Sequence, residues 1–353
     1  MKEPDVVVER RGCAGFITLN RPKALNALDL GMVRAIAAAL DDFEADDRIA
    51  RVVATGAGGR AFCAGGDIRL LYEQGRAGDH AAQLAFWREE YILNRRIKRY
   101  AKPYIALVDG LVMGGGVGLS AHGAHVVASE RYIFAMPEVG IGFFPDVGAT
   151  YLLPRLPHRI GRYFALTGER ASVGDARAFG LVDFFVESGM IEELAKALED
   201  PAPDEEILRA FAASAPSGRL FEQREAIAGW FGGESIADCL SRLAEAAGKG
   251  DALAKAAETA MLAKSPTSQA IALRQAQIGA SLPFEEAMKV EFRIVSRICR
   301  GVDFYEGVRA VIIDKDNEPR WRPASHREVS EEAIDAYFAP LGVDELSFDG
   351  AQA

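Results

Sequence analysis

The sequence predicts an α/β fold that is followed by a mainly helical C-terminal region. Short β-rich runs alternate with helical segments over about the first 188 residues, a pattern typical of α/β proteins. Beyond residue 188 strand signals nearly vanish, and Ala-rich helical patterns interrupted by prolines take over. We therefore predict an α/β core in residues 1–188 and a mainly helical C-terminal region in residues 189–353 that completes the fold.

The first elements have clear local signals. β character is concentrated in residues 6–9, 16–19, 51–55 and 104–108. A helix is predicted after Asp29, whose side chain can cap it, because apolar residues then recur at helical spacing. A second helix is predicted from about residue 80 to residue 100, ending before Pro103. The apolar run 308–313 fits either a strand or the continuation of a helix.

Composition excludes several classes of function. The chain has 353 residues, 49% of them hydrophobic, which is enough for a full-sized core. Its 41 basic and 51 acidic residues give a net charge of −10, which disfavours binding to nucleic acid or to an anionic membrane. Four scattered cysteines predict reduced thiols, and no cluster has metal-ligand spacing, so we expect no metal.

The sequence gives no sign of export or of membrane insertion. The N-terminus lacks the apolar core of a signal peptide and the composition of a transit peptide, which predicts a cytoplasmic location. Residues 105–128 are apolar enough to resemble a membrane span. They nevertheless contain an aspartate, two histidines and six glycines, so we interpret them as a buried strand, turn and helix.

The first segment that could contribute to a catalytic or binding site is AFCAGGDI, residues 61–68. Its paired glycines allow a sharp turn that exposes a backbone amide, and Asp67 can cap the helix that follows. An ordinary strand-to-helix turn is the alternative interpretation.

A second segment contains three successive glycines, 114 to 116, between a strand and a helix. Several backbone N–H groups are then exposed at the N-terminus of the helix, the positive end of its dipole, where an oxyanion is stabilised. Close helix packing would also explain these glycines, and a dinucleotide site is the weaker alternative because the GxGxxG spacing is absent.

The third segment, MPEVGIGFFPDVG, residues 136–148, places Glu138 and Asp146 in an apolar loop. Carboxyl groups in such surroundings lose solvation, and two of them can hold different protonation states, as hydrolysis requires. The alternative is that Asp146 only caps the next helix and that Glu138 pairs with a surface arginine.

Together with LNRPKALNAL at residues 19–28, these segments resemble the crotonase (enoyl-CoA hydratase/isomerase) superfamily, most clearly over residues 1–188. The resemblance implies a crotonase-like spiral of repeated ββα units. It also implies that the amides of Gly66 and Gly115 form an oxyanion hole for the thioester carbonyl of an acyl-CoA. Coenzyme A is then part of the substrate, and no separate cofactor is expected.

One departure from the hydratases of that superfamily is informative. Where they carry a first catalytic glutamate this sequence has Gly118, while Glu138 is kept and Asp146 stands where hydratases usually have glycine. Water addition to an enoyl group needs proton transfer at two carbons, so simple hydratase chemistry is in doubt. The combination instead resembles the 3-hydroxyisobutyryl-CoA hydrolase subgroup. Segments 86–91, 264–268 and 303–315 support the subgroup resemblance almost to the C-terminus.

The resemblance also implies roles for individual residues. Glu138 would act as nucleophile or as general base, and Asp146 would hold the substrate hydroxyl or assist the departing thiolate, with Glu90 beside them in the substrate pocket. For Glu90 a solvated helix face is the alternative. The implied contacts to coenzyme A are Arg21, Lys23, Ala24, Leu25, Ala64, Gly66, Asp67 and Ile68.

The function implied is hydrolysis of a short branched hydroxyacyl-CoA thioester, most specifically 3-hydroxyisobutyryl-CoA to 3-hydroxyisobutyrate and CoA, a step of valine degradation. An enoyl-CoA hydratase or isomerase is the alternative, since it shares the pocket. A non-catalytic acyl-CoA or RNA-binding protein is a third possibility, disfavoured by the pocket carboxylates and the net charge of −10. Assembly as a monomer or a homo-oligomer stays open.

Overall fold

The computed structural model describes residues 3–348. Its ten strands form a six-stranded sheet in the order β1-β2-β3-β5-β7-β10 and a four-stranded sheet in the order β4-β6-β8-β9. The strands are β1 (Val6–Arg11), β2 (Ala14–Leu19), β3 (Arg51–Gly56), β4 (Ala61–Cys63), β5 (Tyr104–Val108), β6 (Leu111–Met113), β7 (His125–Ala128), β8 (Ile133–Ala135), β9 (Ala171–Ser172) and β10 (Phe184–Phe185). Only the β1–β2 and β8–β9 pairs are antiparallel.

The same residues contain seventeen α-helices, joined by short 3-10 turns. Those of the first half are α1 (Leu30–Glu44), α2 (Ile68–Arg76), α3 (His80–Lys98), α4 (Gly115–Ser120), α5 (Ala149–Leu152), α6 (Ile160–Thr167) and α7 (Val173–Phe179). Those of the second half are α8 (Ile191–Ala197), α9 (Asp204–Phe211), α10 (Arg219–Glu222), α11 (Arg224–Trp230), α12 (Ile236–Gly248), α13 (Ala252–Leu262), α14 (Pro266–Ile278), α15 (Phe284–Ile298), α16 (Val302–Val308) and α17 (Glu331–Phe338).

The six-stranded sheet is covered by apolar groups on both faces. In its central strand β5, Tyr104, Ala106 and Val108 belong to the main core, whereas Ile105 and Leu107 belong to a smaller core that includes residues of α8 and α9. Successive strand residues point to opposite faces, so a strand buried on both sides needs an unbroken apolar run. The sequence YIALV meets that requirement.

Three consecutive units repeat the same path. In each unit the first strand (β3, β5 or β7) joins the large sheet and the second (β4, β6 or β8) joins the small one. Helix α2 follows β4 and helix α4 follows β6. The predicted ββα spiral is therefore present.

This repetition brings the three sequence motifs together. Gly66 follows β4, Gly115 follows β6 and Glu138 follows β8 along the chain. Strands β4, β6 and β8 are parallel neighbours in the small sheet, so their carboxyl ends lie side by side. A ligand site at such a shared edge is a common property of α/β sheets.

The predicted helix starts are confirmed. Asp29 caps α1 by accepting a hydrogen bond from the amide of Met32, and Asp67 caps α2 by accepting one from Leu70. Helix α3 covers residues 80–98, close to the predicted range. Within residues 3–348 no helix is long and apolar enough to cross a membrane.

After Phe185 the described chain contains helices and no further strand. The run 308–313 continues helix α16 as a turn of π-helix over Arg309–Ile313, so the strand interpretation of this run was wrong. Helix α15 packs against α3 and α5, and α16 packs against the 3-10 turn Glu138–Ile141. The helical half thus contacts the elements that carry the predicted site, while the domain boundary at residue 188 stays a prediction.

Candidate active site

A cavity of about 390 Å³ lies at the carboxyl ends of β4, β6 and β8. It is lined by most of the residues that the sequence singled out: Ala64, Gly66, Ile68, Glu90, Gly115, Glu138 and Asp146. Trp87 and Phe143 stack at 5.5 Å between ring centroids and give the same cavity an apolar wall. The cavity therefore combines an apolar surface with a few convergent polar groups, as small-molecule sites do.

The two predicted oxyanion glycines are neighbours in space. A methyl group placed on Gly115 would lie 3.4 Å from the amide nitrogen of Gly66. Between residues 3 and 348 neither of these two amides donates a hydrogen bond to a protein group. Two unpaired N–H donors thus meet on one wall of the cavity, which is the arrangement that an oxyanion requires.

Glu138 lies beside this wall. It opens the 3-10 turn after β8 and is buried, and its Oε1 would be 3.0 Å from a methyl group on Gly114. Its Oε2 has no hydrogen-bond partner among the described residues. Burial, and then the charge of Asp146, raises the pKa of Glu138 well above its usual value. The predicted alternative of a surface arginine pair is wrong for this residue.

Asp146 is held by a tyrosine that the sequence analysis did not single out. The Tyr91 hydroxyl donates a hydrogen bond of 2.8 Å to Asp146 Oδ2, and both groups are buried. Burial raises the pKa of Asp146 to about 7, although the bond from Tyr91 opposes the rise. Helix α5 starts at Ala149 without a side-chain cap, so the alternative role of Asp146 as a helix cap is wrong.

Glu90 is the third carboxyl group of the cavity. It lies on α3, is only 2% exposed, and its Oε1 has no partner in the described part of the chain. A methyl group on Gly115 would come within 2.5 Å of that oxygen. Burial raises the pKa of Glu90 well above its usual value, and the charges of Asp146 and Glu291 add to the effect. A solvated helix face is thus excluded for Glu90.

These raised pKa values predict how stability depends on pH. A carboxyl group whose pKa is higher in the folded protein binds more protons there, so its contribution to stability is present below the unfolded pKa and is lost as pH rises through the folded pKa. For Asp146 this window runs from 3.8 to about 7. Asp146→Asn removes this titration. We therefore expect the free energy of unfolding of the variant minus that of wild type to be larger at pH 8 than at pH 4, by roughly a few kcal/mol.

Urea unfolding at the two pH values measures this difference. Asn keeps an oxygen that can accept the Tyr91 bond, so the comparison isolates the charge. Asp47→Asn, at an exposed position, controls for the change in net charge. An equal effect of Asp146→Asn at both pH values would contradict the expected titration.

Gly118 occupies the position at which hydratases of the superfamily carry glutamate. A methyl group there would lie 2.7 Å from Asn94 Nδ2 and 2.8 Å from the Cβ of Val147. Both neighbours are buried side chains. The space that a second glutamate would need is therefore already filled.

The residues predicted to contact coenzyme A divide into two groups. Ala64, Gly66 and Ile68 line the cavity, whereas Arg21, Lys23, Ala24, Leu25 and Asp67 do not. The Leu25 carbonyl accepts a bond from the Ala64 amide, which places this turn next to the cavity wall. The Arg21 guanidinium contacts Asp67 at 3.0 Å and Asp29 at 3.4 Å, so its charge is already paired within the protein.

Several cavity residues come from the helical half and were not predicted as site residues. Lys264, Val311, Ile312 and Asn317 line the cavity. The Lys264 ammonium would be 3.3 Å from a methyl group on Gly140, and burial lowers its pKa. Segments 264–268 and 303–315 supported the subgroup resemblance, and both contribute to this wall. No group of three or more potential metal ligands occurs within residues 3–348.

Comparison with known proteins decides the family. The family model for enoyl-CoA hydratase/isomerase matches residues 14–338. The chain belongs to this family. A curated relative from Xenopus tropicalis, named 3-hydroxyisobutyryl-CoA hydrolase, mitochondrial, is 45% identical over 98% of this chain and 91% of its own length. Within this family, the chain is thus similar over almost its whole length to a relative that is named a hydrolase.

Two solved structures of the enoyl-CoA hydratase/isomerase family show the same fold. One is titled a carnitinyl-CoA dehydratase from Mycobacterium thermoresistibile, with a TM-score of 0.93, 40% identity and coverage of 99% of this chain and 100% of that one. The other is titled an enoyl-CoA hydratase from Rhodobacter sphaeroides, with a TM-score of 0.90, 42% identity and coverage of 98% and 100%. The crotonase-like fold predicted from the sequence is confirmed.

Proposed function

We propose that this protein hydrolyses a short branched hydroxyacyl-CoA thioester, with 3-hydroxyisobutyryl-CoA as the substrate and 3-hydroxyisobutyrate and CoA as the products. The names of relatives that are 42–46% identical over nearly the whole chain support this substrate. The observation that carries the proposal is the pairing of two unpaired amides with buried Glu138 and Asp146 in one cavity, while position 118 has no carboxyl group.

In this proposal the thioester carbonyl oxygen lies between the amides of Gly66 and Gly115. These donors stabilise the negative charge that develops when the carbonyl carbon becomes tetrahedral. Each such donor contributes about 10²–10³-fold to the rate. Their lack of other partners means that no internal hydrogen bond must break before the substrate binds.

Glu138 is the base or the nucleophile of the reaction. As a nucleophile its carboxylate oxygen would bond to the carbonyl carbon, the C–S bond would break, and water would then hydrolyse the mixed anhydride. As a general base it would take a proton from the water that attacks. Both routes require the unprotonated carboxylate, and both release CoA as a thiol after protonation.

Asp146 and Glu90 lie at the acyl end of the cavity in this arrangement. The Tyr91 bond occupies one oxygen of Asp146, which leaves the other able to accept a bond from the substrate hydroxyl. A buried acceptor without a partner is unfavourable by about 1–3 kcal/mol. An acyl group that lacks the hydroxyl would leave Asp146 in that state.

A pair of matched substrates tests this recognition. We expect wild-type protein to prefer 3-hydroxyisobutyryl-CoA over isobutyryl-CoA by about 10–100-fold in kcat/KM, because losing one hydrogen bond in a buried site has an effect of this order. Asp146→Asn should reduce the preference. Release of free thiol from each substrate is the measurement. Equal rates on both substrates in wild type would leave a general thioesterase and would remove the hydroxyl from the proposal.

Hydration of an enoyl-CoA is the second candidate, because two solved structures of similar sequence carry hydratase and dehydratase titles. The packing of Asn94 and Val147 against Gly118 argues against it, since the second glutamate of hydratases has no place. Efficient hydration of crotonyl-CoA by the unmodified protein would favour this candidate over hydrolysis. The non-catalytic acyl-CoA or RNA-binding alternative does not explain why two unpaired amides and three buried carboxyl groups line one cavity.

For coenzyme A we propose contacts with the loop 64–68 and with the turn at Lys23, Ala24 and Leu25. Lys264 supplies an additional cation on the cavity wall itself. The curated relatives are named mitochondrial, so the cytoplasmic location stays a prediction for this chain. Its assembly state stays open as well.

A further inference from the structure

The turn that follows Asp146 has an unfavourable backbone conformation. Val147 has a φ of 53°, in the left-handed region that a β-branched residue rarely adopts. Such a conformation persists only where its surroundings hold it, and it is common next to functional groups. The residue is 1% exposed, so its surroundings are entirely protein.

Four hydrogen bonds hold this turn from both sides. Glu291 of α15 accepts bonds of 2.8 Å from the amides of Gly148 and Thr150, one with each carboxyl oxygen. His122 Nε2 donates to the Val147 carbonyl at 2.7 Å. On the other side of Asp146, Gln275 donates to the Pro145 carbonyl at 2.9 Å. The backbone around Asp146 is therefore fixed by side chains from outside its own loop.

Glu291 is the unusual member of this set. It is completely buried, and burial together with the charge of Asp146 raises its pKa to about 8, against the effect of its amide donors. Burying a carboxyl group is unfavourable for stability unless hydrogen bonds offset the lost solvation, and here the two amides of the turn supply them. Both of its oxygens accept bonds from the turn, and Glu291 is not among the described residues that line the cavity.

We propose that Glu291 is a positioning residue that holds Val147 in its left-handed conformation and thereby directs the carboxyl group of Asp146 to Tyr91 and into the cavity. The proposal rests on the proposed function for the role of Asp146, but its structural part does not. Glu291 does not line the cavity, so it acts on the site through the backbone of the turn and through the repulsion between its charge and those of Asp146 and Glu90.

Glu291→Gln is the first test. Glutamine keeps the volume but replaces one acceptor by an NH₂ donor that would face a backbone N–H, so one of the two bonds is lost. A displacement of about 1 Å at a reacting group lowers rates by about 10²-fold. We expect a fall of that order in kcat/KM for the hydroxylated thioester, and a substrate preference reduced to that of Asp146→Asn.

A rescue experiment separates positioning from a general loss of packing. Glycine adopts the left-handed conformation without strain, whereas alanine does not, and both substitutions remove the two γ-methyl groups of valine. We expect the double variant Glu291→Gln/Val147→Gly to have a kcat/KM at least about tenfold higher than that of Glu291→Gln, because glycine removes the backbone strain at position 147. Glu291→Gln/Val147→Ala should not recover. If Glu291→Gln fails to fold, the same comparison is made on the yield of folded protein.

Two outcomes would overturn the proposal. One is wild-type activity and substrate preference in Glu291→Gln, and the other is equal recovery with glycine and alanine. A crystal structure of Glu291→Gln decides independently of any assay: the proposal requires Val147 to leave the left-handed region and the Tyr91–Asp146 bond to break. If wild-type protein releases no thiol from any short acyl-CoA, the proposed function fails, while the structural result still decides the role of Glu291.

Discussion

Replacing Glu138 with glutamine should remove most thioester hydrolysis and leave the binding of CoA largely intact. The change is nearly isosteric, but the amide is neither a base nor a nucleophile at this position. General-base catalysis contributes about 10²–10⁴-fold, and we expect kcat to fall within that range. Because Glu138 lies beside the oxyanion amides, where we propose that the thioester carbonyl binds, KM should change far less than kcat.

The measurement is thiol release from 3-hydroxyisobutyryl-CoA at saturating and limiting concentrations. Glu187→Gln, at an exposed position outside the cavity, is the matched control and should retain wild-type kcat. Near wild-type turnover by Glu138→Gln would eliminate this residue from the chemistry. The assignment of hydrolysis would then have to rest on another group of the cavity.

The local parts of the site were predictable from the sequence. Paired glycines before Asp67 and the glycine triplet before α4 have a direct conformational meaning, because exposed amides and tight turns need residues without a side chain. The apolar loop around Glu138 and Asp146 likewise predicted carboxyl groups that lose solvation, and burial raises the pKa of both in the structure. Each of these signals lies within about ten residues of chain.

The proximity of these segments in the fold could not be predicted from their spacing along the sequence. Gly66 and Gly115 come together because β4 and β6 are adjacent in the small sheet, and strand order is a property of the whole fold. Resemblance to the superfamily supplied this information. Local pattern alone left an ordinary turn and close helix packing as open explanations of these glycines.

The hydrogen bonds by which the helical half holds the turn after Asp146 were not predicted, for a different reason. Glu291 lies on the apolar face of α15, with Met288 and Val295 at helical spacing from it, and all three are buried. A charged residue in that stripe is the signal that could have revealed it, since buried carboxyl groups need partners. Its partners, the amides of Gly148 and Thr150, are backbone groups that leave no trace in the sequence.

The turn at Arg21 has a structural role that the sequence did not indicate. The resemblance implied that Arg21 and Lys23 contact coenzyme A, which stays a prediction, and the Arg21 charge is also paired with Asp29 and Asp67. Asn26 of the same motif is buried and donates to the carbonyls of Ala57 and Ala61, which ties the turn to β4. Part of this motif therefore has a structural role, because it places the loop after β4.

Replacing Gly115 with alanine keeps both amides, but its methyl group should obstruct the oxyanion and lower kcat/KM by about 10²–10³-fold, as much as the loss of one oxyanion donor. The new methyl group would lie 3.4 Å from the Gly66 amide nitrogen and 2.5 Å from Glu90 Oε1. It would therefore occupy the space next to both predicted donors and force the Glu90 carboxyl group to move. Gly66→Ala is a graded comparison and should have a smaller effect, because its methyl group would meet Phe86 at 3.2 Å and Leu71 at 3.9 Å and no carboxyl group.

Thiol release and thermal unfolding are measured together for both variants and for Gly189→Ala, whose added methyl group would meet nothing within 4 Å. A transition-state effect predicts that kcat falls for Gly115→Ala while the fold is retained, and that a binding isotherm for CoA alone changes little. Gly189→Ala should match wild type in both measurements. If Gly115→Ala hydrolyses the thioester at the wild-type rate, the carbonyl oxygen does not lie between these two amides. The electrophile would then have to be placed elsewhere in the cavity.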